Sequence, residues 1–162
     1  AFSEVEYEAY GPGGSAFIIS GLTDNTNRTT NEIKRILDDH GGRLAASGSV
    51  AWLFSRRVIM EFDVAGQDAA ATELGLIDAG AEDTILNGER LVAVVAPEKA
   101  EGFERAVRAK DLNPVNSTFA AVAKNDITLG KEDQAKVAAM VEALEDHADI
   151  SSVSTNVAGE NI

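Results

Sequence analysis

From Glu4 to Tyr10 polar and apolar side chains alternate strictly, the period-2 mark of a strand with one wet face. Between Thr26 and His40 the period has changed. There Ile33, Ile36, Leu37 and His40 fall at i, i+3, i+4 and i+7, which is one face of an amphipathic helix. A chain that switches period in this way must pack helices onto strands, so the class is α+β. Between the two segments Gly11-Pro12-Gly13-Gly14 breaks the chain, and Ser15 to Ser20 follows as a buried strand, a hairpin or a short looped strand pair. Thr29-x-x-Glu32 can form a capping box, Gly41-Gly42 supplies a left-handed stop, and Ser49 to Phe54 reads as a further buried strand.

A second unit starts at Val58. Val58 to Phe62 reads as a strand, and Asp68 to Ala79 as a helix with Ala70, Leu74 and Ile77 on its apolar face. A short strand from Asp83 to Leu86, a turn at Gly88 and a strand from Leu91 to Ala96 follow. Pro97 opens a helix with Phe103, Ala106 and Val107 as its stripe, and Ser117 to Ala123 returns as a strand. That order, βαββαβ, is the ferredoxin-like split βαβ with two helices on one face of an antiparallel sheet. A strong helix from Lys131 to Glu145 carries Val137, Met140, Val141 and Leu144 on one face, and a short strand from Ile150 to Ser154 closes the chain. Neither flank is complete alone, but joined they make a sheet covered by two helices. The expectation is two α/β-sandwich modules: a discontinuous α+β domain of residues 1–56 plus 125–162, with a ferredoxin-like domain of residues 57–124 inserted.

Charge bounds the partners. Net charge is −13, from 27 acidic and 14 basic side chains, so the average surface repels nucleic acid and anionic membrane. Residues 1–56 nevertheless hold five Lys/Arg against seven acids, whereas residues 125–162 hold only Lys131 and Lys136 against eight. Any polyanion contact is expected in the first third. No run of about 18 apolar residues suggests a membrane span. The lack of cysteine excludes disulfides and thiolate chemistry and fits a cytoplasmic address. The triplets at Asn27 and Asn116 that match a glycosylation pattern read as chance.

Several residues invite a chemical role. Gly11, Pro12, Gly13 and Gly14 resemble a phosphate loop in composition, but no Gly-Lys-Ser/Thr occurs and a strand follows rather than a helix; they read as a structural turn or an exposed recognition loop. Arg28 and Arg35 are seven residues apart, so they share a helix face roughly 10.5 Å apart along the axis. That face lies about opposite the Ile33/Ile36/Leu37 stripe. With Lys34, Arg43, Arg56 and Arg57 they are the candidates for phosphate contact, the alternative being a solvated face over a capped helix. His40 and His147 sit near helix C-termini, where imidazolium suits the dipole, and two histidines do not make a zinc site. Trp52 and Phe54 share a strand face that can stack bases, although core packing is the ordinary role of such a pair. Tyr7 and Tyr10 fall on opposite faces of their strand, so one of them is expected to be exposed. The adjacent acids Asp38/Asp39, Glu82/Asp83 and Glu145/Asp146 diverge around their elements, and no Gly-x-Ser-x-Gly elbow occurs. No catalytic residue, metal or cofactor is implied.

Four motifs in order carry a resemblance. Tyr7 to Gly14, then Leu22-Thr23-Asp24-Asn25 with Asn27-Arg28-Thr29, then His40-Gly41-Gly42, then Gly48-Ser49-Val50-Ala51-Trp52-x-Phe54 are similar to successive motifs of the YebC/PmpR family. Gly80-Ala81-Glu82-Asp83 and Ala143 to Asp146 with Val153 and Asn156 agree more loosely. The resemblance implies a non-enzymatic gene-expression factor of three domains. Family members are described as transcriptional regulators in bacteria and as translational activators that act with ribosomes in bacteria and mitochondria, including activators of cytochrome c oxidase synthesis. The expected partners are therefore the ribosome, through ribosomal RNA or protein, or promoter DNA, in the cytoplasm or the mitochondrial matrix. The similarity starts at the linker into the second domain, and the family's basic N-terminal helical domain with its GHSKW-type motif, the expected source of most positive charge, has no counterpart in this sequence.

Overall fold

In the computed structural model, which describes residues 1–161, the alternating segment is strand β1 (Ser3–Tyr10). It pairs antiparallel with β2 (Ala16–Thr23), Tyr10 opposite Ala16 and Ser3 opposite Thr23. The turn between them is a single 3-10 turn over Pro12–Gly14. It needs its glycines: Gly13 and Gly14 have φ of 69° and 76°, and a Cβ on Gly11 would stand 2.5 Å from the Phe17 ring. Two further strands, β3 (Arg43–Ala45) and β8 (Ile150–Thr155), complete a sheet of order β3-β1-β2-β8.

Helices α1 (Thr26–Asp39) and α4 (Lys131–Glu145) bring Ile33, Leu37, Val137, Met140 and Leu144 into one core with Ala9, Phe17 and Ile19. The opposite face of β2 is also covered. Ala16 and Ile18 cluster there with Val50 and Phe54, and Tyr10, Leu53, Ala121 and Ala123 pack around them. That two-sided burial explains why Ala16 to Ile19 is a continuous apolar run rather than an alternation. It also leaves both Tyr7 and Tyr10 half-buried, one on each face, so the expectation that one is exposed does not hold.

The remaining elements are β4 (Phe54–Asp63), α2 (Ala69–Ala79), β5 (Asp83–Asn87), β6 (Arg90–Val95), α3 (Ala100–Ala109) and β7 (Asn116–Ala123), with sheet order β5-β6-β4-β7. Numbered within this set the order is 2-3-1-4, the ferredoxin-like arrangement. Val58, Met60 and Phe62 of β4 and Leu91, Ala93 and Val95 of β6 face a core shared with Leu76, Phe103 and Val107 of the helices. Contact density divides the chain into residues 1–55 with 121–162 and residues 56–120. The divisions fall within β4 and within β7, and the packing of Ala121 and Ala123 against the Ile18/Val50/Phe54 cluster accounts for the second.

Three local expectations are corrected. Ser49 to Phe54 is not a strand: Ala51–Leu53 is a 3-10 turn, and β4 starts only at Phe54. Helix α2 buries Thr72 and Leu76, while Leu74 and Ile77 of the expected stripe are 63% and 48% exposed. The helix is apolar around most of its circumference, so its period admits two stripes. Finally, α1 is capped by Asn25, whose Oδ1 accepts from Arg28 N–H at 3.1 Å. Thr29 lies inside the helix and fully buried, and Glu32 turns to other partners, so the Thr29/Glu32 capping box does not form.

Candidate nucleic-acid interface

The loop from Ala46 to Leu53 owes its shape to one distant carboxylate. Glu8 lies on the outer face of β1, and its side chain accepts from the backbone N–H groups of Gly48 at 2.6 Å and of Val50 and Ala51 at 2.8 Å each. Gly48 takes φ 88°, a left-handed conformation that lets successive N–H groups converge on an anion. Burial alone raises the Glu8 carboxyl, but the three N–H donors outweigh it and hold its pKa below the ordinary glutamate value. Val50, with no exposure, and Phe54 anchor the loop below. Trp52 is left 66% exposed, with Nε1 donating to Ser49 O at 3.0 Å, so the indole is fixed in place and its ring faces remain available. Core packing of Trp52 beside Phe54 is therefore corrected: the 3-10 turn sends the two rings to different environments.

Tyr10 shares the Glu8 face of β1, opposite Arg43 on β3. The Arg43 guanidinium carbon stands 4.7 Å from the Tyr10 ring centre, a cation–π contact. Glu8 and Tyr10 thus share one face of β1: the carboxylate holds the loop that carries Trp52, and Tyr10 stacks with Arg43.

The other candidate cations have different situations. Arg28 is neutralised from three sides: Nη2 lies 2.7 Å from Asp149 and 3.5 Å from Asp24, and Nε lies 3.5 Å from Glu32. Thr29 Oγ1 donates to the same Asp149 carboxylate at 2.8 Å, and Glu32 Oε2 stands 2.7 Å from His147 Nε2. Since His147 Nδ1 accepts from Asp149 N–H at 3.1 Å, the proton of the neutral ring sits on Nε2 and points at Glu32. The result is a closed polar ring that ties the start of α1 to the turn between α4 and β8. Lys34 and Arg35 are exposed on α1, and among the described residues neither has an ion-pair partner within 4.0 Å. Arg56 and Arg57 belong to the 56–120 unit: Arg56 stacks on Phe119 at 5.2 Å, and Arg57 Nε pairs with Glu82 at 2.8 Å.

Of the glycine-rich turn, Pro12 is buried, Gly11 N–H donates to Ser15 O at 2.8 Å, and a Cβ on Gly13 would meet Leu129 and Asp133. Only Gly14 faces open space. The turn closes the hairpin, with Gly13 and Gly14 exposed. His40 ends α1, its Nδ1 2.8 Å from Ile36 O. Sequence reasoning missed Glu8 and the exposure of Trp52. The glutamate stands in the polar half of an alternating strand, and nothing local marks it as the anchor of a loop 40 residues away.

A family model for the second and third domain of TACO1/YebC matches residues 2–157. The chain belongs to the TACO1/YebC family. Probable transcriptional regulatory proteins are similar to it: one from Thermus thermophilus is 39% identical over 99% of this chain and 64% of that protein. Another, from Fervidobacterium nodosum, is 41% identical over 96% of this chain and 61% of its own length. The crystal structure of a conserved hypothetical protein from Aquifex aeolicus superposes with a TM-score of 0.89 at 30% identity, covering 96% of this chain and 65% of that one. The chain thus spans less than two thirds of these TACO1/YebC relatives. The names of the Thermus and Fervidobacterium proteins denote regulation rather than a chemical reaction. Among the described residues no helix is long and apolar enough to cross a membrane.

Proposed function

We propose that this TACO1/YebC chain serves a ribosome-associated translational activator and contributes a contact to unpaired ribosomal RNA. The observation that carries the reading is the exposed Trp52 on the loop that Glu8 holds, with the Arg43–Tyr10 stack on the Glu8 face of β1. Aromatic faces and stacked guanidinium planes suit splayed, single-stranded bases. A duplex is a poorer fit: binding along paired phosphates needs many cations, whereas this chain has net charge −13, and Arg28 and Arg57 are spent on internal carboxylates. Of the candidate cations, Lys34, Arg35 and Arg43 on this unit and Arg56 on the other remain for phosphate. The relatives are named probable transcriptional regulatory proteins, and the second reading is accordingly a transcriptional regulator, acting by binding DNA.

Sedimentation separates the two. The chain and a full-length relative are expected to co-sediment with ribosomes, and Trp52→Ala or the pair Lys34→Glu and Arg35→Glu to weaken this at unchanged thermal stability. Sequence-specific binding to a promoter duplex over a scrambled one across a salt series, without co-sedimentation, would replace this reading with the transcriptional one.

A further inference from the structure

Helix α2 carries a second apolar stripe that the fold does not use. Ala70, Leu74 and Ile77 follow at i, i+4 and i+7, on the side of the helix away from Thr72 and Leu76. Leu74 is 63% and Ile77 48% exposed. The stripe continues onto the neighbouring strand. Thr84 Oγ1 donates to Glu73 at 3.0 Å, which places β5 along the Glu73 flank of α2. Leu86, two residues after Thr84 and opposite Leu91, therefore points to the same side, 54% exposed. An exposed apolar strip at this spacing has the form of a site for one face of a helix.

The surrounding charge identifies the occupant. Residues 58–89 contain eight Asp/Glu and no Lys or Arg. Around α2, Glu73 borders the stripe on one side and Asp78 on the other, with Asp68 at the N-cap. Lys110 lies beside Gly75, on the flank away from the stripe. Such a rim repels nucleic acid and anionic lipid. It also opposes a second copy of this chain, because an isologous contact would set one acidic rim, Glu73 and Asp78, against the same acidic rim of the other copy.

We infer that the α2/β5 corner docks a basic amphipathic helix of another protein, its apolar ridge laid on Leu74, Ile77 and Leu86 and its Lys or Arg side chains reaching Glu73 and Asp78. This surface belongs to the 56–120 unit and Trp52 to the other, and its occupancy does not depend on the RNA reading.

The test uses the whole chain and three synthetic peptides of about 14 residues, long enough for a helix of four turns. The first has Leu at i, i+3, i+4 and i+7 with Lys elsewhere, the second replaces Lys by Glu, and the third scrambles the first. Amide and methyl NMR shifts are followed during titration. Only the first peptide is expected to bind, with shifts centred on Leu74, Ile77 and Leu86. Raising salt from about 50 to 300 mM should weaken it severalfold. The double variant Leu74→Ser, Ile77→Ser should weaken it at least about tenfold, with the unfolding midpoint as control. Should that variant unfold, Asp78→Lys keeps the stripe intact and is expected to cost about three- to tenfold. Equal binding of the scrambled peptide or of the Glu peptide overturns the inference, as do shifts centred on α4. Concentration-dependent self-association that the double variant abolishes overturns it in favour of a second copy.

Discussion

Helices α1 and α2 do the same mechanical work, each covering one face of a four-stranded sheet, yet they pose opposite problems to a reader of sequence. In α1 nearly every residue off the Ile33/Leu37 stripe is polar, so the period names the buried face without ambiguity. In α2 most positions are Ala, Leu or Ile, and two stripes satisfy the same spacing. Periodicity is informative in proportion to how polar the rest of the helix is. Where the rest is apolar too, the surplus face concerns something other than the fold.

The two units are also fastened differently. Residues 1–55 with 121–162 use charged side chains that reach across the chain: Glu8 to Gly48, Arg28 to Asp149, and Glu32 to His147. In residues 56–120 the side chain to backbone hydrogen bonds among the described residues are local, as at the Asp68 cap and the Asp63 turn, and the longer ties are between side chains, Arg57 to Glu82 and Thr84 to Glu73.

The largest expected effects test the helix comparison directly. Leu37→Ala and Leu76→Ala both empty a site with no exposure, and each should lower stability by about 2–5 kcal/mol in urea unfolding. A mild Leu76→Ala would break the assignment of the α2 core. Next comes the fastening of the first unit. Glu8→Gln should cost about 1–3 kcal/mol at neutral pH, because an amide cannot accept from three N–H groups as a carboxylate does.

The pH dependence has a definite sign. A carboxyl with a depressed folded pKa stabilises fully above its unfolded value, near 4.5, and that stabilisation drains as pH falls through the folded value. The stability gap between the wild type and Glu8→Gln should therefore narrow below about pH 4.5, and a constant gap down to pH 2 would sharpen the role of Glu8 to one of shape alone. Smaller again, Arg28→Ala should cost about 1 kcal/mol or less, since its side chain is 45% exposed and such pairs are screened. Smallest are Leu74→Ser and Ile77→Ser, expected to stay within about 0.5 kcal/mol. A cost above about 2 kcal/mol would return that stripe to the core.

Element types followed from local chemistry: the β1 alternation, the α4 stripe and the ferredoxin-like order are all visible as periods and breaks. What escaped was set by partners far along the chain. Ser49 to Phe54 has a strand's composition, but Glu8 draws its N–H groups inward and curls it into a turn. Glu32 stands where a capping box would place it, yet Arg28 and His147 claim its carboxylate. Arg28 has the position of an anion-binding residue, and its counter-ion, Asp149, lies 121 residues away. Of the candidate interface, Arg43 and the exposed lysine and arginine of α1 were legible as surface cations. The stack on Tyr10 and the presentation of Trp52 were not, because both depend on which face of β1 a later loop covers.

Trp52 is the one tryptophan of the chain, and its exposure has an optical consequence. Its native emission should already lie close to that of indole in water and be quenched readily by iodide, so unfolding will change it little. A base or a side chain laid on the ring would shift and protect it strongly. The intrinsic fluorescence of this protein should therefore report what is bound rather than whether the chain is folded.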